Sequence, residues 1–234
     1  MTAAVGREYR KRRVKRRLFE VFGNARYSRP ALHGLDAKLA RHLTQRGGVF
    51  VEAGANDGYA QSNTYYFERM RGWSGVLIEP VPELAHHCRG IRRRSKVFQC
   101  ALVDRAYEGD TVPLHSAGLM STVEGALGDD TRQNTHLERA LEVQKLEGVE
   151  AVQAPARLLS DVLDDAGVQR IDLLSLDVEG YEPQALGGLD WDRHAPTWIC
   201  IEMNHPEATE AALADRYELV EELTERDRLY RRRG

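Results

Sequence analysis

The sequence predicts an α/β protein with a mostly parallel sheet, and three features of its first half support this. A short apolar run, Val49-Phe50-Val51, suits a buried parallel strand. A glycine-containing turn and a helical stretch follow, and the chain then returns to a second apolar run, Gly75-Val76-Leu77-Ile78. This second strand ends in a carboxylate, Glu79. The pattern indicates a strand–turn–helix–strand unit that binds a ligand at the strand tips.

The turn after the first strand has the sequence Gly54-Ala55-Asn56-Asp57-Gly58. Glycines at its two ends let the backbone bend sharply and approach a ligand without a Cβ in the way. A dinucleotide-binding turn has glycine at its first, third and sixth positions. Here the third position is Asn56 and the sixth is Tyr59, so the turn disfavours a nicotinamide-dependent oxidoreductase.

The charges around this turn favour a nucleoside that carries a positive end. Glu52 and Asp57 would repel phosphates, but they could hold an ammonium group and orient the sulfonium of S-adenosylmethionine. Glu79 suits hydrogen bonds from both ribose hydroxyls. The alternative is an ordinary buried βαβ unit with a tight turn.

Four segments resemble the FkbM family of S-adenosylmethionine-dependent methyltransferases. They are FVEAGANDGYAQSNT from Phe50, GWSGVLIEP from Gly72, DLLSLDVEGYE from Asp172 and ICIEMN from Ile199. The resemblance implies a class I, Rossmann-like methyltransferase fold, with a mostly parallel seven-stranded sheet, a reversed last strand and an inserted cap segment. Many members of the family are O-methyltransferases that act on sugars and natural products.

This resemblance divides the chain into a basic N-terminal helical segment, residues 1–47, and a methyltransferase domain, residues 48–234. Residues 105–157 interrupt the βαβ alternation, and we expect them to form the insertion. Within it, Asp110–His115 and Glu150–Ala156 read as strands and Asp129–Glu147 as an amphipathic helix. We expect residues 116–147, which include Ser121, to cap the acceptor pocket; the alternative is a surface insertion without a substrate role.

Composition is that of an ordinary globular protein. The 234 residues are 42% hydrophobic and 29% charged, and no run is long enough to span a bilayer. The N-terminus lacks the apolar core of a signal peptide. The three cysteines show no metal or redox spacing, so they read as buried thiols of a cytoplasmic protein.

The net charge of −3 conceals a basic N-terminus. Residues 1–17 hold eight basic residues and one acidic residue, a net +7, which leaves −10 for the remainder. This segment could contact nucleic acid, an anionic membrane or an acidic partner, or it could be a solvated helix start. Nucleic acid is disfavoured because the segment lacks the interleaved aromatic residues that stack on RNA bases. Leu18, Phe19, Val21 and Phe22 follow and could dock by an apolar face or pack on a second subunit.

Further elements follow from periodicity and from the helix signals of proline and glycine. Helices are expected over Leu35–Leu43, from Pro82 to near Arg94, over Leu158–Ala166, after Pro183 and over Glu207–Ala214, and strands over Lys96–Val103, Ile171–Leu176, Thr197–Met203, Tyr217–Leu223 and Asp227–Arg232. The run Arg92-Arg93-Arg94 reads as the solvated end of its helix.

The resemblance also places the cofactor. It implies that the end of the strand Lys96–Val103 lines the adenine site, mostly through backbone atoms. We expect the helix N-terminus near Ser62 and the Asn63 amide to hold the methionine carboxylate; simple helix capping by Ser62 is the alternative. The predicted cofactor contacts are Glu52, Gly54, Ala55, Asn56, Asp57, Gly58, Ser62, Asn63, Glu79, Pro80, Cys100, Ala101, Leu102 and Asp177.

Two adjacent strands bring polar side chains to one rim of the sheet. His205 is the first candidate for the base that takes the acceptor's proton, because imidazole titrates near neutrality; it could instead cap the helix at Pro206. Asp177 and Glu179 are the next candidates. Expected acceptor contacts are Ser121, Tyr181, Glu202 and Asn204.

A divalent metal is conceivable at the same rim but is not favoured. Asp177, Glu202 and Asn204 offer hard oxygen ligands that suit Mg²⁺, which could bind two acceptor oxygens and acidify one.

The sequence therefore predicts a cytoplasmic S-adenosylmethionine-dependent O-methyltransferase of natural product biosynthesis, acting on a hydroxyl of a sugar or secondary metabolite. The alternatives are an N- or carboxyl-methyltransferase of a small molecule or peptide, and a nucleic-acid-associated binding module that uses the basic N-terminus. A homo-oligomer is compatible with the sequence.

Overall fold

The structure is a computed structural model that describes residues 14–116, 121–123 and 150–234, together with the single positions 135, 138 and 142. Its centre is a seven-stranded sheet with the order β10-β11-β9-β8-β1-β2-β3. These strands are β1 Val49–Ala53, β2 Ser74–Ile78, β3 Lys96–Phe98, β8 Leu173–Leu176, β9 Trp198–Glu202, β10 Tyr217–Glu222 and β11 Asp227–Arg232.

One strand of the main sheet is reversed. β11 pairs antiparallel with both β9 and β10, whereas the other neighbouring strands of this sheet pair in parallel. This strand order and its single reversal confirm the class I methyltransferase fold. β1 lies at the centre, between β2 and β8, so its carboxyl end meets the carboxyl ends of both neighbours.

Helices cover both faces of the main sheet. They are α1 over residues 14–21, α2 Leu35–His42, α3 Tyr65–Arg71, α4 Pro82–Ile91, α5 Leu159–Ala166, α6 Glu182–Gly187, α7 Trp191–His194 and α8 Pro206–Leu213. Phe50 of β1 packs in a core with α2, α3 and α4, while its neighbour Val51 packs in a core with α5, α6 and α8. Because successive side chains of a strand point to opposite faces, β1 contributes to both cores.

A second, four-stranded sheet has the order β4-β7-β5-β6. It consists of β4 Ala101–Val103, β5 Thr111–Ser116, β6 Thr122–Val123 and β7 Glu150–Leu158. The two strands expected in the insertion are thereby confirmed as β5 and β7. The helix predicted over Asp129–Glu147 lies outside the described residues except for three positions, which are helical and exposed.

The single strand predicted over Lys96–Val103 is wrong, because two short strands in different sheets take its place. β3 pairs with β2 only as far as Ile78, where β2 ends. The chain then leaves the main sheet, and Ala101 pairs with β7. Between the two strands, the Gln99 side chain donates to the backbone oxygen of Pro80 at 2.8 Å.

Arg92 is buried, so the prediction that it belongs to a solvated helix end is wrong for this residue. Its side chain is 0% exposed, whereas Arg93 and Arg94 are exposed. The guanidinium donates to Glu68 at 3.0 Å and to Glu52 at 3.2 Å. It also donates to three oxygens of the segment between β1 and α3, which are Gly58 O, Ser62 Oγ and Thr64 Oγ1. Arg92 therefore ties α4 to β1, to α3 and to the segment that joins them.

All three cysteines are buried and free, as the sequence predicts.

Replacing Arg92 by methionine tests how much this buried cluster contributes to stability. The variant keeps most of the side-chain volume but leaves the Glu52 and Glu68 carboxylates without their cation. We expect the free energy of unfolding to fall by about 3–5 kcal/mol, as for other buried pairs that lose one partner. Chemical denaturation measures it.

Arg93→Met is the matched control, because Arg93 is the next residue and is exposed. We expect it to change the free energy of unfolding by less than about 0.5 kcal/mol. Equal effects of the two substitutions would mean that the cluster does not stabilise the fold.

Candidate active site

A cleft opens at the carboxyl ends of β1, β2 and β8, and it consists of two adjoining cavities. Gln61, Asn63 and Asp177 line both of them. Among the predicted cofactor residues, those that line the first cavity are Glu52, Gly54, Asn56, Asn63, Glu79, Pro80, Cys100, Ala101, Leu102 and Asp177. Ala55, Asp57, Gly58 and Ser62 are not part of its lining. Most of the predicted cofactor residues thus share one cavity, although not every residue of the turn faces it, and their role in binding a cofactor stays a prediction.

Glu79 is held rigidly in the wall of the first cavity. One carboxylate oxygen accepts the backbone N–H of Asn56 at 2.8 Å, and the other accepts the backbone N–H of Val81 at 2.9 Å. Burial raises the pKa of Glu79 to about 7, and the two backbone donors oppose this rise. The carboxylate is thus fixed in position while each oxygen retains a lone pair for a ligand.

Glu52 organises the segment that follows β1. Its carboxylate accepts hydrogen bonds from the Ser62 hydroxyl, the backbone N–H of Asn63 and the Thr64 hydroxyl, and it pairs with Arg92. These partners explain why an acid stands at this position without requiring a ligand. The expectation that Glu52 meets the positive end of a ligand stays a prediction.

Gly54 and Gly58 allow close internal approaches. A Cβ on Gly54 would lie 1.8 Å from the backbone oxygen of Asp177, so β1 and β8 could not keep their present separation. A Cβ on Gly58 would lie 2.8 Å from Cγ of Arg92 and 2.9 Å from Sγ of Cys88. Both glycines also have positive φ, +82° and +83°. Their absent Cβ atoms make room for neighbouring protein atoms, and Gly54 thereby sets the position of Asp177.

Backbone strain is concentrated around the cleft. Four non-glycine residues of the described chain have positive φ, and they are His33, Asn56, Gln61 and Glu179. Each of them lines one or both cavities. Residues in this region of backbone space cluster at ligand sites, because the surrounding structure must compensate for their cost. Neither His33 nor Gln61 was singled out from the sequence.

Three carboxylates meet where β8 and β9 end. Asp177, Glu182 and Glu202 each have an oxygen within 4.8 Å of the others. Glu182 is fully buried and accepts the backbone N–H groups of Val178 at 3.0 Å and Gly180 at 3.1 Å. Glu182 was missed as a site residue, although it stands only five positions after Asp177 in the sequence.

Asn204 and Arg226 complete this cluster. The Asn204 amide nitrogen donates to Glu202 at 2.7 Å, and its oxygen accepts from Arg226 at 2.6 Å. Arg226 also pairs with Glu202 at 2.9 Å. The amide oxygen that was considered as a metal ligand is therefore engaged by a cation. A metal requirement stays untested.

The second cavity lies between the sheet and the N-terminal segment. Its lining includes Leu32, His33, Leu35 and Lys38 from that segment, Glu202 from β9, Thr224, Glu225 and Arg226 from the turn between β10 and β11, and Asp227 at the start of β11. A backbone bridge between Ala31 and Gln61 holds the N-terminal segment against the cleft. His205 belongs to neither lining.

The expected acceptor contacts are distributed over both cavities. Ser121 and Tyr181 line the first, Glu202 lines the second, and Asn204 lies behind Glu202 without lining either. Among the candidate bases, Glu179 lines the first cavity and Asp177 lines both.

Comparison with known proteins agrees with this geometry. The family model of the methyltransferase FkbM domain matches residues 52–232. The chain belongs to the FkbM methyltransferase family. The 2-O-methyltransferase NoeI of Sinorhizobium fredii is 30% identical to it over 145 residues, which cover 60% of this chain and 56% of NoeI. The chain thus spans little more than half the length of that relative.

Two solved methyltransferase structures are similar at low identity. A TehB-like S-adenosylmethionine-dependent methyltransferase from Corynebacterium glutamicum is 12% identical, with a TM-score of 0.42 over 99% of this chain and 100% of that chain. Precorrin-6y C5,15-methyltransferase from Geobacter metallireducens is 10% identical, with a TM-score of 0.45 over 85% of this chain and 88% of that chain. The fold assignment of this FkbM family member rests on its own strand order.

The cleft of this FkbM domain is electrostatically unusual, because its acids favour the protonated form. Asp177 faces the cleft, where the partial loss of water and the charges of Glu202, Glu179 and Glu182 raise its pKa above the ordinary value. Burial, together with the charge of Glu202, raises the pKa of Glu179 to about 8. A cationic ligand would relieve this repulsion.

Gly54→Ala tests whether the close approach to Asp177 matters. Gly72→Ala is the matched control, because Gly72 also has positive φ but has no atom near its absent Cβ. We expect Gly72→Ala to cost about 1–2 kcal/mol for the left-handed conformation alone. Gly54→Ala should cost clearly more, because the β1–β8 separation must also increase. Denaturation curves of both variants measure the difference, and equal costs would contradict a role for this approach.

The raised pKa of Glu179 predicts a pH-dependent stability. Between the ordinary pKa of 4.5 and about 8, the folded state binds this proton more tightly than the unfolded state does. The free energy of unfolding therefore falls as the pH rises through this window.

Glu179→Gln removes this penalty. We expect its melting temperature to exceed that of the unmodified protein at pH 8 by roughly 2–4 °C per kcal/mol gained. The difference should vanish near pH 4. Glu108→Gln, at an exposed position, is the control. A Glu179→Gln advantage that is the same at both pH values would contradict the prediction.

Proposed function

We propose that this chain transfers a methyl group from S-adenosylmethionine to a hydroxyl oxygen of a sugar or a secondary metabolite. The observation that carries the proposal is that Asp177 lines both cavities of the cleft. A carboxylate at the junction of a nucleoside pocket and a polar pocket is well placed to act on a group that passes between them. Membership of the FkbM family and a relative named as a 2-O-methyltransferase support the same reaction class.

The first cavity fits the proposed methyl donor. Glu79 presents a fixed carboxylate of the kind that binds ribose hydroxyls. Ile78, Ala101, Leu102 and Leu114 supply apolar surface that suits an adenine ring.

Asn63 suits the amino-acid end of the donor. Its amide nitrogen donates to Ser175 at 3.1 Å, while its buried amide oxygen has no hydrogen-bond partner. Buried polar atoms are rarely left unpaired, so this oxygen indicates a ligand donor such as an ammonium group. We therefore propose that Asn63 receives the ammonium rather than the carboxylate.

The second cavity suits a polyhydroxylated acceptor. Its charged and polar lining, with His33, Lys38, Glu225, Arg226 and Asp227, offers both donors and acceptors for hydroxyl groups. Apolar side chains are fewer there than in the first cavity. Sugars and hydroxylated metabolites match such a lining, because each hydroxyl needs a partner when it is desolvated.

Asp177 is the proposed general base. When bound, S-adenosylmethionine supplies a methyl group on a sulfonium, a good leaving group for in-line displacement. A hydroxyl oxygen becomes an adequate nucleophile when its proton leaves as it attacks. Asp177 takes that proton in its ionised form, which the positive charge of the bound sulfonium would favour, and its raised pKa makes the ionised carboxylate a stronger base than an ordinary aspartate. Glu202 and Glu182 sustain that raised pKa, and Arg226 holds Glu202 in place.

We propose that Ser121 and Tyr181, which were expected to contact the acceptor, help to enclose the donor. Ser121 and Tyr181 enclose the first cavity together with Thr122 and Val123, so the described part of the insertion covers the donor. Because Arg226 already engages Glu202 and Asn204, we propose that no metal is needed. The free cysteines support a reducing compartment, so we propose the cytoplasm as the setting. Natural product biosynthesis is proposed only from membership of the FkbM family.

Calorimetry with S-adenosylmethionine and with its demethylated product tests the donor site. We expect binding to the unmodified protein, and a loss of at least about tenfold in affinity for Glu79→Gln, because one charge-assisted hydrogen bond contributes about 1.5–3 kcal/mol. Glu83→Gln is the control, since Glu83 is exposed on α4. Absence of binding by the folded protein would refute the proposed function.

Transfer of labelled methyl groups to a panel of glycosides tests the acceptor side. We expect Asp177→Asn to lower kcat by about 10²–10⁴-fold, the usual contribution of a general base. His205→Gln should leave the rate within a few-fold of the unmodified protein. Activity should survive exhaustive EDTA treatment. Full activity of Asp177→Asn, or a loss confined to His205→Gln, would contradict the assignment of the base.

A further inference from the structure

Helix α1 docks onto the domain by its polar side. Arg16 is only 6% exposed, and its guanidinium lies 3.7 Å from the ring centroid of Tyr59 and 4.9 Å from that of Tyr65. Glu20, one turn later, accepts hydrogen bonds from the hydroxyls of Tyr65 at 2.8 Å and Ser28 at 2.9 Å. It also pairs with Arg69 at 2.9 Å. Charged side chains therefore fix the inward side of this helix.

The outward side of α1, together with Phe22 just after its end, is apolar. Val14 is 55% exposed, Leu18 56%, Val21 79% and Phe22 84%. At 100° per residue these four side chains fall on one side of the helix, opposite Arg16 and Glu20. The arrangement is the reverse of an ordinary surface helix, which buries its apolar side. Such a patch marks a surface that interacts with something apolar.

Basic residues border this apolar face. Lys15 and Arg17 are exposed, and the helical periodicity places one on each side of the face. Residues 1–17 together carry +7 on a chain whose remainder carries −10. A helix with Leu and Phe on one face and Lys or Arg at its borders is typical of helices that lie in the plane of an anionic membrane surface.

A second copy of the chain suits this surface less well. A symmetric dimer through the same face would bring two basic segments against each other, and like charges in contact are unfavourable. Nucleic acid would be attracted by the basic residues but would leave Leu18, Val21 and Phe22 in water. An anionic bilayer satisfies both features, because it offers headgroup charge and an acyl interior.

We propose that α1 binds the surface of an anionic phospholipid bilayer, with Leu18, Val21 and Phe22 inserted at the headgroup boundary. The helix would lie on the membrane rather than cross it, since no helix among the described residues has the length and apolarity of a membrane span. The inward contacts of Arg16 and Glu20 keep the helix attached to the domain. This inference does not depend on the proposed methyl transfer.

Co-sedimentation of the full chain with vesicles tests the proposal. We expect binding to phosphatidylcholine vesicles that contain phosphatidylglycerol, little binding to pure phosphatidylcholine, and weakening as salt is raised. Leu18→Ser/Val21→Ser/Phe22→Ser should lower the partition coefficient by about tenfold or more, because three apolar side chains no longer enter the bilayer. Lys15→Gln/Arg17→Gln should reduce binding to the phosphatidylglycerol vesicles only.

Leu219→Ser/Val220→Ser is the matched control. These two residues form the other exposed apolar pair of the described chain, on β10 and far from α1 in the sequence. We expect this variant to bind vesicles as the unmodified protein does. Thermal unfolding of every variant tests whether the domain stays folded. We expect it to stay folded, because the replaced side chains are exposed.

Three results would overturn the proposal. The first is a folded protein that does not bind phosphatidylglycerol vesicles. The second is a triple variant that binds them as strongly as the unmodified chain. The third is light scattering that shows a dimer which the triple variant converts to a monomer, because a second copy would then cover the face. Calorimetry with S-adenosylmethionine remains a separate measurement, so each proposal can fail alone.

Discussion

The buried ion cluster of Arg92 is the interaction on which the cleft depends. One guanidinium joins Glu52 of β1, Glu68 of α3 and the segment between these two elements. Moving such charges out of water is costly, and the cost is recovered only when each group finds several partners. Glu52 has those partners in Ser62, Asn63 and Thr64. The cluster therefore fixes the path of the segment that carries Gln61 and Asn63 into both cavities.

A second constraint comes from the contact between β1 and β8. The absent Cβ of Gly54 lets the backbone oxygen of Asp177 approach the end of β1, and the N–H of Asp177 donates to Ala53 O at 3.2 Å. The side chain of Asp177 is thereby held at the junction of the two cavities by backbone geometry. Glu79 is held by backbone donors in the same manner. Glu79 and Asp177, two of the acids that line the cleft, are thus positioned by main-chain contacts.

Much of the fold around the cleft could be predicted from the sequence, because β1, the turn after it and β2 are each specified by a short stretch of sequence. Apolar runs indicate strands, and Glu79 stands at a strand tip whose place in the sheet follows from the βαβ rule. Parallel strands end at one edge, so Asp177 and Glu202 were expected together, and they are. The predictions that were wrong concern contacts between residues that are far apart in the sequence. Arg92 is forty positions from Glu52, and a run of three arginines ordinarily indicates a solvated surface.

The division of Lys96–Val103 between two sheets was also missed because it depends on pairing with residues distant in the sequence. Its apolar pattern is continuous, and only the end of β2 at Ile78 and the pairing of Ala101 with β7 decide where the strand breaks. Sequence analysis missed His33, Lys38 and Arg226 in the lining of the second cavity, because these residues come from opposite ends of the chain. Their convergence depends on the N-terminal segment lying against the β10–β11 turn, a tertiary contact without a periodic signature.

The carboxylates of the cleft lie close together at a cost to the stability of the fold. A fold selected for stability alone would not place Asp177, Glu182 and Glu202 within 4.8 Å of one another. Burial and the repulsion among these acids raise the pKa of Asp177, and burial with the charge of Glu202 raises that of Glu179, so keeping the two ionised costs folding free energy. A cationic ligand at this point recovers part of that cost when it binds. In the proposed reaction the same repulsion would make ionised Asp177 a stronger base, because a carboxylate of higher pKa binds a proton more tightly.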